Sequence, residues 1–219
     1  MYNTIILIDK PAGMSSFGVV ARVRRVLSAE LGKKAKVGHT GTLDPFATGL
    51  MILVTGTMCR EAQRFTKLDK WYEAEIILGQ TSTTGDPEGE LASVSDLRPT
   101  EAQVRAVLAQ FTGTIQQTPP AFSAIKINGQ RAYKLAREGK EVAMPPRTVH
   151  IYALELVSYE YPSLTIRAHV SSGTYIRTLA EDIGTTLGTG AYCRQLRRTQ
   201  IAEYTVAEAK CLADFGINS

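Results

Sequence analysis

The 219-residue sequence predicts an α+β fold with a mixed, largely antiparallel central sheet flanked by helices. Strand-like and helix-like segments are interspersed without the regular βαβ period of a doubly wound sheet. Residues 148–161 and 164–171 read as strands joined by a Pro162-Ser163 turn, a hairpin-like pair. No internal repeat, low-complexity tract or inter-domain linker interrupts the chain, so one domain over 1–219, at most bilobed, is expected.

The elements follow in order. Residues 4–9 form a short strand ending in a Lys10-Pro11-Ala12-Gly13 turn. Ser15 or Ser16 then caps a helix whose apolar stripe is Val20, Val23, Leu27 and Leu31, stopped by Gly32. Residues 38–49 hold three glycines, a proline and three threonines, which is a loop by composition. Residues 50–54 leave that loop as a buried strand, residues 71–78 form another, and 79–89 are a polar turn region. Thr100 with Gln103 makes a capping box that opens a helix through Val104, Val107, Leu108 and Phe111. Residues 131–138 read as a short basic helix stopped by Gly139. In the second hairpin strand Leu164, Ile166, Ala168 and Val170 alternate with polar residues, so one face is buried. Residues 174–187 form an amphipathic helix with Ile176, Leu179, Ile183 and Leu187 on one side, and 206–215 a last short helix.

Composition narrows the class. Apolar residues make up 44% and charged residues 21%, the balance of a globular protein and not of a disordered chain, coiled coil or collagen. The longest aliphatic run, Leu50 to Val54, is far too short to cross a bilayer. The N-terminus lacks the basic and long apolar regions of a secretion signal. Cys59, Cys193 and Cys211 are widely spaced and outside any C-x-x-C pattern, which fits a cytoplasmic protein without zinc or disulfides. The net charge of +4 hides a division: residues 69–101 hold eight acids against two bases. Basic residues cluster at Arg22 to Lys36, at Lys126 to Arg147 and at Arg194 to Arg198. Such patches suit a polyanionic partner, although solvated helix faces would look the same.

The most informative segment is residues 36–49. Its glycines permit close approach of another molecule's backbone, and Pro45 holds Asp44 extended so that the carboxylate projects from a fixed backbone. On residue types alone a turn aspartate is the better explanation of Asp44.

Gly38-His39-Thr40-Gly41-Thr42-Leu43-Asp44-Pro45, followed by Ala47-Thr48-Gly49-Leu50, resembles the signature of the TruB family of tRNA pseudouridine synthases. Further blocks resemble the family in register: Lys10 to Ser16, Lys70-Trp71-Tyr72 with Leu78 to Asp86, Gln117 to Lys126, Ser172 to Ala180, and Leu196 to Thr199. Together they cover nearly the whole chain. The resemblance implies the pseudouridine synthase fold with an active-site cleft across the sheet, and isomerisation of uridine 55 in the T-loop of tRNA. Asp44 would be the catalytic nucleophile on a flipped-out uridine, attacking C6 of the base or C1′ of the sugar. Tyr72 falls on the tyrosine that stacks on the uracil, and Arg177 on the arginine that pairs with the catalytic aspartate. Leu196 falls on an apolar pocket wall, His39 on a histidine that fills the vacated stack, and Asp86 on a polar contact near the extruded nucleotides. Lys10, Lys36, Lys126, Arg131, Lys134, Arg197 and Arg198 are candidates for phosphate contacts.

The family implies no metal and no organic cofactor, tRNA as partner, and a monomer. Family members commonly carry a C-terminal PUA domain, for which this sequence has no room after residue 201, so its absence is expected. Two other readings stand beside this one: a guide-RNA-dependent pseudouridine synthase, and an RNA-binding or tRNA-folding chaperone.

Overall fold

The computed structural model describes residues 2–123, 125–127, 129–139 and 144–217. The chain divides into two compact units, one of residues 1–73 with 196–219 and the other of residues 74–195. It passes out of the first unit along one strand and returns along another.

In the first unit, β1 (Ile5–Lys10) leads through a turn to α1 (Ser16–Leu31), then β2 (Val37–His39) and β3 (Thr48–Thr55). A 3₁₀ turn and the short α2 (Ala62–Thr66) precede β4 (Lys70–Leu78), whose first four residues belong here. The helix starts where the sequence offered two serines. Ser15 is the N-cap, its Oγ accepting from Gly18 N at 3.0 Å, while Ser16 is released for another task. Gly32 closes the helix at φ 63°, the left-handed conformation that glycine adopts at least cost.

β3 explains the position of the candidate loop. One edge of β3 pairs antiparallel with β1, from Ile5 opposite Val54 to Lys10 opposite Gly49. Its other edge is shared: β2 covers Leu53 to Thr55, and a later strand pairs parallel with Thr48 and Gly49. Residues 40–47 therefore leave the sheet where one neighbour of β3 gives way to the next. Leu50 to Val54 are almost wholly buried, each worth ~2 kcal/mol of transfer free energy. Leu50 and Ile52 pack with Ile201, Ile5, Leu7, Phe65 and Leu68. The strand is an anchored base for the loop.

In the second unit, β4 continues and is followed by β5 (Gln80–Ser82), β6 (Leu91–Ser93), α3 (Glu101–Gln110) and β7 (Gly113–Gln117). Then come β8 (Lys126–Ile127), β9 (Gln130–Arg131), α4 (Ala132–Arg137), the hairpin β10 (Arg147–Glu160) and β11 (Ser163–Val170), and α5 (Ile176–Thr186). β12 (Ala191–Ile201) returns to the first unit, where β13 (Tyr204–Thr205) pairs antiparallel with it and two 3₁₀ turns follow. Within the second unit the strand order is β4-β11-β10-β7, with β10 antiparallel to both neighbours. The capping box holds: Gln103 N donates to Thr100 Oγ1 and Thr100 N donates to Gln103 Oε1 at 2.7 Å. α3 lies against β10, its Val104 and Leu108 buried.

The α+β class and the largely antiparallel sheet foreseen from the sequence are what the fold shows. Two local expectations differ. Residues 80–82, within the polar turn region, pair with 91–93 as a short hairpin, which their lack of apolar alternation concealed. Residues 206–215 form 3₁₀ turns at Val206–Glu208 and Leu212–Phe215 rather than a helix. Two capping boxes within ten residues restart the chain before an α-helix can propagate.

Candidate active site

The Asp44 loop is held almost atom by atom by side chains of the first unit. Thr40 N donates to Ile52 O, so the loop begins tied to β3. The Ser16 hydroxyl donates to Leu43 O and accepts from Leu43 N, both at 2.8 Å. This is the task for which Ser16 was freed from capping. Lys10 Nζ donates to Pro45 O at 3.1 Å and to Pro11 O and Met14 O at 2.7 Å each. Gly13 N also donates to Pro45 O, and Ala47 N closes the turn on Asp44 O. The residues on either side of Asp44 thus have their carbonyls fixed by groups distant in sequence. A buried carbonyl left without such a donor would cost about 1–3 kcal/mol, so the loop has one conformation to settle in.

Arg198 completes this frame. Its side chain is 1% exposed, and it donates from Nε to Leu50 O at 2.7 Å, from Nη2 to Gly41 O at 3.2 Å and from Nη1 to Thr42 O at 3.5 Å. Gly49 lets β12 come this close: at φ 107°, a Cβ there would lie 2.2 Å from Arg198 O. Lys70 lies alongside, its Nζ donating to Thr66 O and Leu68 O. Burial, and then the Arg198 charge, lower the Lys70 pKa to about 8, against a smaller opposite effect of Asp69.

The second unit holds a different cluster. Arg177 on α5 is 3% exposed; its Nη1 meets Asp86 Oδ2 at 3.2 Å and donates to Thr84 O at 2.7 Å, and Nη2 donates to Phe122 O at 2.8 Å. Asp86 is buried as well, its Oδ1 accepting from Thr84 Oγ1 at 2.6 Å and from Glu88 N at 3.0 Å. The start of α5 is fixed by Gln117, which donates to Tyr175 O and accepts from Tyr175 N like a strand partner. Burial raises the Glu181 carboxyl, one turn beyond Arg177, with Arg177 opposing the shift and Asp182 and Asp86 adding to it.

The candidate residues are therefore distributed as follows. Asp44, His39, Tyr72 and Leu196 lie in the first unit, with Tyr72 on β4 and Leu196 on β12 both buried, and His39 at the end of β2 opposite Leu53. Arg177 and Asp86 are brought together directly in the second. The set foreseen for phosphate contacts divides. Lys36 and Lys134 are exposed. The Lys126 and Arg131 side chains lie outside the described residues. Arg197 forms a bidentate pair with Asp9, at 2.7 and 3.1 Å, and is part-exposed. Lys10 and Arg198 differ from the exposed members of the set: both are buried, with donors turned onto backbone carbonyls. A cation in a sequence carries no mark of which way it points. Ser16, Thr84, Gln117 and Glu181 were not singled out individually. For Gln117, its position at the head of a matched block was the available signal.

Among the described residues no group of three or more His, Cys, Asp or Glu side chains is placed to hold a metal ion. No helix among them is long and apolar enough to cross a membrane.

Solved structures share this fold. A chain in the crystal structure of a Cbf5-Nop10-Gar1 complex matches with a TM-score of 0.74 and 29% identity over 96% of this chain and 52% of that one. A chain in the archaeal box H/ACA sRNP Nop10-Cbf5 complex gives 0.71 and 28%, over 97% and 52%. The sequence matches the TruB family pseudouridylate synthase N-terminal domain over residues 24–176 and the tRNA pseudouridylate synthase B C-terminal domain over 177–215. Fold and sequence thus define a pseudouridylate synthase. The chain belongs to the TruB family. It is 46% identical over 208 residues to tRNA pseudouridine synthase B of Burkholderia mallei, and 45% identical over 210 residues to that of Pseudomonas fluorescens. These alignments span 95–96% of this chain and 67% of the relatives.

Proposed function

We propose that this chain isomerises uridine 55 in the T-loop of tRNA to pseudouridine, with Asp44 as nucleophile. The observation that carries the reading is the loop itself: a carboxylate between two residues whose carbonyls are pinned by Ser16 and Lys10. Such fixing converts attack on a bound nucleoside into an oriented, nearly intramolecular step. The reaction rearranges bonds without a co-reactant. The Asp44 carboxylate adds to C6 or C1′, the N1–C1′ bond breaks, the uracil turns, C5 joins C1′, and the Asp44–carbon bond breaks to return the free carboxylate. The C5 hydrogen leaves to water and N1 takes a proton. Nothing in that sequence calls for a metal or an organic cofactor.

In this reading Tyr72 is the platform for the extruded uracil, Leu196 the apolar wall, and His39 the group that fills the vacated stack. Arg177 is the guanidinium of the substrate site, and Asp86 pairs with it on α5. Exposed Lys36 and Lys134 meet backbone phosphates. The protein works as a monomer in the cytoplasm, a setting compatible with its free thiols at Cys59, Cys193 and Cys211. Relatives at 45–46% identity are named for tRNA, whereas the ribonucleoprotein chains stand at 27–29%, which favours tRNA without a guide.

The test is tritium release from a [5-³H]uridine-labelled T-arm stem-loop, with neither guide RNA nor metal added. Release is expected, and its loss when the target uridine is replaced by cytidine. Tight binding without release would instead support the chaperone or guide-dependent reading.

A further inference from the structure

Arg198 is a residue the proposed chemistry does not use and yet one of the most deeply buried side chains of the first unit. Among the described residues it has no carboxylate within ion-pair distance; its donors go to neutral carbonyls. Burying a guanidinium without a counter-charge is expensive, and an apolar side chain would fill the same space at less cost. What an apolar side chain cannot supply is a rigid fork of donors aimed at several acceptors at once. The acceptors are not scattered. Gly41 and Thr42 lie just before Asp44, and Leu50 lies where the chain has rejoined β3.

We propose that Arg198 is a positioning residue for Asp44, setting the span of the loop by holding its entry and exit carbonyls with a single guanidinium. The inference rests on the reading of Asp44 as nucleophile. Ser16 and Lys10 fix the carbonyls beside Asp44; Arg198 fixes where those neighbours stand relative to the sheet. The register supports this, because Arg198 is opposite Gly49 in the parallel pairing of β12 with β3. The absence of a side chain at residue 49 lets the β12 backbone press against β3 and place the Arg198 fork beneath residues 41 and 42. A lysine here would carry the charge on one nitrogen and reach the two ends of the loop only in turn.

Arg198→Lys and Arg198→Gln are compared with wild type by single-turnover tritium release on the T-arm stem-loop. Binding is measured in parallel across salt concentrations, and folding by circular dichroism. The rate constant is expected to fall on the order of 10–100-fold in both variants, as for a modest displacement of a reacting group. Affinity should stay within about twofold, with the salt slope unchanged, since the guanidinium meets no phosphate. Guanidinium ion at millimolar concentration should partly restore an Arg198→Ala variant.

Unchanged rates overturn the inference. So does weaker binding with a shallower salt slope, which would make Arg198 a phosphate contact after all. Loss of the folded state in both Lys and Gln variants overturns it too, because the side chain would then hold the unit and not the loop. Asp44→Asn is run alongside. If that variant keeps full activity, the reading of Asp44 has failed; if it is inactive while Arg198→Lys is normal, only the positioning role has.

Discussion

Two buried arginines, one in each unit, do opposite kinds of work. Arg198 spends its donors on the carbonyls of Gly41, Thr42 and Leu50, whereas Arg177 meets the carboxylate of Asp86 as well as two carbonyls. The first is a mechanical device, in which charge is incidental to the geometry of the fork. The second is an electrostatic one, in which the charge is met by a buried carboxylate. The environments differ in the same sense. Burial, with the Arg198 charge adding to it, pushes Lys70 toward its neutral form, while burial raises Glu181 and the Arg177 charge opposes that rise. One residue type thus serves shape in one unit and charge in the other, and only its partners tell which.

The largest test of this contrast is Asp86→Asn. Removing the carboxylate breaks the buried pair with Arg177, and the loss in unfolding free energy should be about 3 kcal/mol, read from the urea midpoint. An unchanged midpoint would mean that Arg177 does not depend on Asp86, and the contrast with Arg198 would collapse. Ser16→Ala sharpens the other side. It removes both bonds to Leu43 and leaves a buried donor and acceptor, costing about 2 kcal/mol, with helix α1 intact because Ser15 is the cap. Activity should fall more than stability alone explains, and equal activity at saturating RNA would argue against a rigid Asp44 loop.

A more gradual effect is expected from pH. Folding lowers the Lys70 pKa from 10.5 to about 8, so between those values the unfolded chain holds the extra proton. Stability from this group therefore rises as pH increases from about 8 to 10.5, by about 1 kcal/mol per pH unit. Lys70→Met should flatten that part of the profile in urea titrations at several pH values. A rise that survives the substitution would place its origin elsewhere.

What could be read in advance followed the range of the interactions. The Thr100–Gln103 capping box, the alternation along β11 and the glycine-punctuated loop are local, and each was legible in a few consecutive residues. The hairpin of β10 and β11 was legible for the same reason. Which of Ser15 and Ser16 caps α1 was not, because Ser16 is claimed by Leu43, 27 residues away. The inward turn of Lys10 and Arg198 was hidden in the same way: their acceptors lie up to 157 residues distant. Cations gathered near a candidate nucleophile suggested phosphate, and it took the pairing of β3 with both β1 and β12 to show that two of them face the protein's own backbone.

The measurement that bears most directly on the account is tritium release by wild type and Asp44→Asn on the same T-arm stem-loop, with equal folding verified by thermal melting. The substitution is isosteric and leaves the loop's carbonyl anchors in place. Release by wild type and none above background by the variant is the predicted result. Comparable release from both would show that the carboxylate, and with it the framework built around residues 40–50, is not where the uridine is attacked.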